Sequence, residues 1–247
     1  PGLLLVCNAG EEGLGNLKGV HKICEDYGDR MERFCTFDSS LSSIVDRAVG
    51  SKRFRVRVRT RGGHSYNNFG NDNAIACLAS LVGELYGIRV PEGGKTTYNV
   101  GMISGGTSVN TIAQEAEMLY EFRSDRRENL EYMERQFMKV IDRGKSEGMD
   151  VSLEIIGVRP CEGPVDPKRK QALSDWAHRV VEEMTGQAPK HCAGSTDCNI
   201  PLSLGIPSVC VGSFRGAGAH TREEYVETDS LEEGYKVAFG MIFGSRD

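Results

Sequence analysis

The stretch Leu3-Leu-Leu-Val-Cys-Asn-Ala-Gly-Glu11-Glu12-Gly-Leu-Gly-Asn16 sets the reading of the whole chain. Its first part, Leu3 to Cys7, is an unbroken apolar run of the kind that fills a strand buried on both faces of a parallel sheet. The run then gives way to two adjacent carboxylates hemmed by Gly10, Gly13 and Gly15. Ligands of open α/β sheets bind outside the carboxyl ends of the strands, where this acid pair would lie. Neighbouring side chains point in different directions, so one acid can bind a cation while the other reaches a water. A solvated loop pair is the plain alternative, and partners elsewhere in the chain must decide. A buried strand beginning two residues after Pro1 would also need neighbours on both sides, which reads as a segment of a larger protein.

Working outward, the same arrangement recurs. A helix-compatible stretch from Leu17 to Tyr27 leads to Phe34-Cys-Thr-Phe-Asp38, a short strand ending in a carboxylate. Near the other end, the apolar strand Ile206–Val211 runs into the glycine-rich loop Ser213-Phe-Arg-Gly-Ala-Gly-Ala-His220, with helices Arg169–Thr185 before it and Leu231–Phe243 after it. Three strand ends therefore deliver Glu11/Glu12, Asp38 and His220. Carboxylate and imidazole are the donors zinc takes in hydrolytic sites, where a further carboxylate serves as base. Taken singly, Asp38 is equally a turn or capping residue, and His220 a loop histidine.

Between these pieces the texture changes. Arg53-Phe-Arg-Val-Arg-Val-Arg-Thr60 alternates strictly, as a half-exposed strand of an antiparallel sheet does, and offers an edge for pairing. After Gly62-Gly-His64-Ser come a helix from Ala74 to Leu85, strands Thr97–Ile103 and Ala116–Phe122, a helix from Asn129 to Lys145 and a strand from Val151 to Val158. The order β-α-β-β-α-β over residues 51–159 is the split, ferredoxin-like motif. The fold class expected is α/β, a mostly parallel sheet with helices on both faces. Its two parts, residues 1–50 and 160–247, flank an inserted α+β lid, residues 51–159.

The chain has 247 residues, a net charge of −5 and no long basic run, which argues against nucleic acid and an anionic membrane surface. No apolar stretch approaches the roughly 20 residues of a membrane span. Eight scattered cysteines without a Cys-x-x-Cys pair point to a reducing cytosol, with neither a disulfide scaffold nor a thiolate metal site.

These residues resemble a known family, the co-catalytic di-zinc aminoacylase/carboxypeptidase metallopeptidases, which include glutamate carboxypeptidase, acetylornithine deacetylase and succinyl-diaminopimelate desuccinylase. The resemblance rests on Asn8-Ala-Gly-Glu-Glu-Gly-Leu-Gly15, Gly62-Gly-His64-Ser, Gly105-Gly-Thr-Ser-Val-Asn110, Phe122-Arg123, Ser195-Thr-Asp197 and Gly218-Ala-His220-Thr, in that order. It implies Glu11 as general base, Glu12 and His220 as ligands of one zinc, and Asp38 as a ligand of the other. Cobalt or manganese could serve the same donors. It further implies that His64 reaches across a homodimer formed through the lid to polarise the scissile carbonyl. Asn110 and Arg123 match positions that hold the substrate carboxylate and oxyanion, a role suited to an amide donor and a guanidinium fork. On its own Arg123 reads as a surface arginine at a strand end. Asp197 is expected to orient a loop of the substrate wall.

The family's upstream His-x-Asp and bridging Asp have no counterpart, and His21, His178 and His191 offer no reason for recruitment, His191 being read in a loop. The expectation is therefore a fragment with an incomplete metal site, from an enzyme that hydrolyses a peptide or N-acyl amino acid. Two alternatives stand: a ureido or carbamoyl amidohydrolase on the same scaffold, and a metal-free dimerisation or binding module.

Overall fold

The computed structural model describes residues 2–219 and 221–244, apart from the side chain of Leu14. The chain divides into two compact units, one made of residues 1–49 with 159–247, the other of Gly50–Val158. The first 49 residues hold helix α1 (Lys18–Tyr27) and strands β1 (Phe34–Phe37) and β2 (Ser43–Ala48). Next come β3 (Gly50–Arg59), β4 (Gly63–His64), α2 (Ala74–Leu85), β5 (Thr96–Gly105), β6 (Thr111–Ile112), β7 (Glu115–Ser124), α3 (Arg127–Ser146) and β8 (Asp150–Arg159). The last part holds α4 (Pro167–Thr185), β9 (Lys190–Gly194), α5 (Asn199–Ser203), β10 (Ser208–Val211), β11 (Gly216–Ala217), β12 (Tyr225–Val226) and α6 (Ser230–Phe243).

In the Gly50–Val158 unit the sheet order is β5-β7-β3-β8, the arrangement of a split β-α-β-β-α-β unit. The strict alternation of β3 has a direct structural counterpart. Phe54, Val56 and Val58 are buried with Met118, Tyr120 and Phe122 of β7, while the arginines face outward. Phe137 of α3 closes the apolar face, its ring 4.4 Å from Phe54 and 5.2 Å from Tyr120. On the outer face each arginine meets a glutamate: Arg53 with Glu121 at 3.2 Å, Arg57 with Glu117 at 2.6 Å and Arg59 with Glu115 at 3.0 Å. The expectation that this strand offers a free edge is corrected, because β3 lies between β7 and β8 and the edges belong to β5 and β8. Helix α2 starts where Asn73 accepts hydrogen bonds from the Ile75 and Ala76 amides, as its side-chain chemistry favours.

In the other unit the sheet order is β1-β10-β2-β9, with β1/β10 and β2/β9 parallel and β10/β2 antiparallel. Helices cover both faces. Trp176, Ala177 and Val181 of α4 pack with Val237 and Met241 of α6 on one side. Cys198 and Leu202 lie against Val45 and Cys210 on the other, and Ile200 packs there with Leu17, Val20 and Cys24. Asp166 caps α4 through the Lys168 and Arg169 amides, followed by Pro167 in the first turn.

Two readings fail here. The run Leu3–Cys7 has no regular structure, and Leu3 to Val6 are 49–68 % exposed. An apolar run becomes a strand only where a neighbour satisfies its N–H and C=O groups, and this one pairs with neither edge strand, β1 or β9. His191, read in a loop, sits inside β9, whose polar sequence Lys-His-Cys-Ala-Gly carries no alternation to reveal it.

Candidate active site

Glu11 and Glu12 follow the irregular segment and precede a tight turn, Gly13–Gly15. Asn16 and Leu17 then take left-handed backbone angles, φ 51° and 63°. Such angles are unfavourable for Leu, and its complete burial beside Val20 and Ile200 holds the turn in place. Glu11 is half-buried. Arg159 Nη1 donates to its Oε1 at 2.9 Å, and Arg159 Nη2 donates to its main-chain carbonyl at 2.6 Å. Burial raises the Glu11 pKa; Arg159 opposes the shift, and the charges of Glu12, Asp38 and Asp197 add to it. Glu12, Asp38 and Asp197 thus all lie within electrostatic reach of Glu11.

Asp38 is exposed and follows β1 directly. Its turn is packed tightly against the end of β10: a Cβ on Gly212 would lie 2.1 Å from the Ser40 carbonyl carbon. Cys210 Sγ donates to the Asp38 carbonyl at 3.3 Å. Asp197 is buried, accepts from Asn8 Nδ2 at 2.8 Å, and keeps its other oxygen without a hydrogen-bond partner among the described residues. Its pKa is raised by burial, with Asn8 opposing and Asp38 adding. Burial also pushes the Cys24 thiol to about 11 and Cys210 to about 12, so neither is a ready nucleophile.

His220 lies outside the described residues. Among the described residues no group of three or more His, Cys, Asp or Glu side chains converges to hold a metal ion. Glu12 and Asp38 are both exposed.

In the other unit, β4 and β6 pair, with His64 opposite Thr111, and the Ser65 amide donates to the Asn110 carbonyl at 2.9 Å. His64 and Asn110 are thus neighbours. Gly62 and Gly63 are required by this turn: both have positive φ, and a Cβ on Gly63 would meet the Asn68 side chain at 2.7 Å. His64 Nδ1 accepts from the Tyr66 and Asn67 amides at 3.2 and 3.4 Å, which leaves the proton on the exposed Nε2. Asn110 Oδ1 accepts from Ser108 at 2.8 Å, so its NH2 remains a donor. Arg123 is elsewhere. It pairs in register with Ser51 and Thr97, whereas Ala116, at the end of β7 nearest Asn110, pairs with Val58 and Gly105. At ~3.3 Å per residue Ala116 and Arg123 are about 23 Å apart along β7. Arg123 forms a two-pronged pair with Glu121, 2.9 and 3.1 Å.

Arg159 was not singled out in the sequence, and only the folded sheet gives its position away. It occupies the same parity of β8 as the buried Val151 and Gly157, an inward position for a charged residue. A second polar cluster was also missed. Asp46 Oδ2 accepts from Ser174 Oγ and from the His191 ring, both at 2.7 Å, and His191 Nε2 lies 2.9 Å from His178 Nδ1 with the rings stacked. This cluster ties β2, β9 and α4 together.

Among the described residues no helix is long and apolar enough to cross a membrane, and all eight cysteines are free. Residues 48–149 match the family described as Peptidase dimerisation domain. Over 227 residues the chain is 31 % identical to a Haemophilus influenzae protein named as a homolog of one component of p-aminobenzoyl-glutamate hydrolase, covering 85 % of this chain and 51 % of that one. It is 25 % identical to a succinyl-diaminopimelate desuccinylase of Nitrosospira multiformis over 245 residues, 94 % of this chain and 63 % of that one. The chain thus spans between about half and two thirds of these curated relatives. Aminopeptidase PepT from Bacillus cereus shares the fold with a TM-score of 0.71 at 21 % identity, over 95 % of this chain and 62 % of that one. A tripeptidase from Staphylococcus aureus does so at 0.72 and 20 %, with the same coverage of each. Residues 48–149 thus carry a match to a peptidase dimerisation domain, and over most of its length the chain is similar to proteins named as amide-bond hydrolases.

Proposed function

We propose that this chain is part of an enzyme that hydrolyses the amide bond of a peptide or N-acyl amino acid carrying a free carboxylate. The observation that carries the reading is the gathering of Glu11, Glu12, Asp38 and Asp197 within charge reach, in a chain whose other unit is a peptidase dimerisation domain. Glu11 is the general base. Burial raises its pKa toward the range in which a carboxylate takes a proton from an attacking water and returns it to the leaving amine. Glu12, Asp38 and His220 are the donors this chain would bring to a divalent-metal site, two zinc ions in the complete enzyme, with cobalt or manganese as substitutes. Donors beyond those described here would have to complete it. His64 Nε2–H and the Asn110 amide, from a second copy joined through the dimerisation domain, stabilise the oxyanion. Arg123 grips the substrate carboxylate after exchanging Glu121 for it.

The test is a hydrolysis panel of tripeptides, N-acetyl and N-succinyl amino acids, p-aminobenzoyl-glutamate and N-carbamoyl amino acids, with added zinc, cobalt or manganese and the full-length protein. Glu11→Gln and His64→Ala should each lower kcat by roughly 10²–10⁴-fold. Mixing the two variants should restore part of the activity, because a mixed dimer regains one intact combination. Cleavage of carbamoyl compounds alone would move the assignment to a ureido or carbamoyl amidohydrolase. Absence of hydrolysis across the metal-loaded panel would leave the binding module.

A further inference from the structure

We infer that Arg159 is the positioning residue for Glu11 in this hydrolysis, holding the carboxylate and the main chain of the same residue at once. The inference rests on the reading of Glu11 as base. The Arg159 side chain is 6 % exposed. Its Nη1 donates to Glu11 Oε1 at 2.9 Å and to Ser195 Oγ at 3.2 Å, and its Nη2 donates to the Glu11 carbonyl at 2.6 Å. One planar guanidinium thus fixes both the peptide from which the side chain hangs and the far end of that side chain. A glutamate so held loses most of its torsional freedom before any substrate arrives.

Little else near Glu11 could do this. The residues before it have no regular structure, and Gly10 and Gly13 on either side have φ +80° and +50°, so the local chain is intrinsically permissive. Arg159, by contrast, stands on a stiff support. It closes β8 and precedes Pro160, which confines its backbone to extended angles. Fully buried Asn199 donates to the carbonyls of Pro160 and Val49, both at 2.9 Å, and so pins the next peptide. The arrangement also divides the two carboxylate oxygens. Oε1 is taken by Arg159, and Oε2 is left to meet a water. A simple counter-ion to the acid cluster would need only charge. The split grip on carboxylate and carbonyl needs a fork, which lysine cannot reproduce.

The experiment uses the full-length protein, a substrate identified by the panel, and the variants Arg159→Lys, Glu11→Gln and the double variant, each checked for folding by thermal melting. Arg159→Lys should lower kcat by about 10–100-fold through misplacement of the base, with KM within about two-fold. In the Glu11→Gln background the same change should have no further effect, since a residue acting through Glu11 has nothing left to position. An unchanged kcat in Arg159→Lys overturns the inference, as does an equal loss in both backgrounds, which marks a purely structural counter-ion. Should Glu11→Gln keep wild-type kcat, it is the assignment of Glu11 as base that fails. If the lysine variant does not fold, Ser195→Ala takes its place. Loss of that second acceptor should cost about three-fold in kcat, absent in the Glu11→Gln background, and no loss overturns the inference.

Discussion

In the Gly50–Val158 unit the inward side chains of β3 and β7 are covered by α2 and α3, whereas in the other unit Leu3–Val6 and one side of α6 remain in solvent. On α6 the exposed residues are Leu231, Tyr235, Phe239 and Phe243, a stripe at four-residue spacing. The first unit closes a split sheet with its own helices. The second has a core on both faces of its sheet, and its short strands are tied by a polar hub of Asp46, His191, His178 and Ser174; apolar side chains stay open in both units, Phe69, Ile103 and Val109 among them in the first. The contrast suggests two sources of stability: aromatic packing in one unit, and a partly exposed hydrogen-bonded hub added to apolar packing in the other.

The largest expected effect comes from the aromatic core. Phe137→Ala removes a fully buried ring between Phe54 and Tyr120 and should cost about 3–5 kcal/mol. The chain has a single tryptophan, Trp176, in the other unit. Urea unfolding followed by far-ultraviolet circular dichroism should therefore show a shifted phase while the tryptophan fluorescence midpoint stays put. If both midpoints move equally, the two units unfold as one and the contrast drawn above is wrong.

Asp46→Ala probes the hub. It leaves the buried Ser174 hydroxyl and the His191 ring N–H without their acceptor, at a cost of about 1–3 kcal/mol. Here the fluorescence midpoint should fall, since Trp176 lies two residues beyond Ser174 on α4. A midpoint within error of wild type would show that the apolar core alone holds β2, β9 and α4.

A smaller effect is expected on the outer face of the split sheet. Burial works to raise the Glu121 pKa, but hydrogen bonds and charge from Arg123 and Arg53 outweigh it, and the net shift is downward from 4.5. A carboxylate with a depressed folded pKa contributes stability above its unfolded value, and that contribution is lost as pH falls through the folded value. Glu121→Gln should cost about 1 kcal/mol at neutral pH. The difference between variant and wild type should shrink as pH is lowered below 4.5. A gap that persists unchanged in acid would assign the loss to packing rather than charge.

Where local pattern and tertiary pairing coincide, the sequence is readable. The helix expected from Asn129 to Lys145 spans Arg127–Ser146, and the alternating arginine strand buries the predicted face. Strands β2 and β9 escaped notice because Ser-Ile-Val-Asp-Arg-Ala and Lys-His-Cys-Ala-Gly mix polar and apolar residues without a period. Of the candidate residues, the acid pair and Asp38 stand out by their glycine turn and strand end, and His64 and Asn110 by the glycines that fold their loops together. Arg159 is legible only with the sheet in hand, since parity along β8 means something once one knows which face is covered. The hub has the same character: Asp46 and His191 are 145 residues apart, and no local rule joins them.

Leu3–Val6 gives the smallest expected effect and the sharpest form of the contrast. By composition it is the most core-like stretch of the chain; by position it is solvent-exposed and unpaired. A strand buried on both faces would lose about 1.5–3 kcal/mol for each leucine replaced by a polar residue, from transfer of apolar surface alone. An exposed segment should lose no more than ~0.5 kcal/mol in total. The double variant Leu3→Ser, Leu5→Ser separates these by nearly an order of magnitude, read as the fluorescence midpoint of its own unit. It should leave that midpoint in place and lower the binding of a hydrophobic dye, because the apolar surface it removes faces water. A large drop in midpoint would mean that the run is buried in solution by a neighbour absent from this fold, and that its sequence, not its exposure, describes its environment.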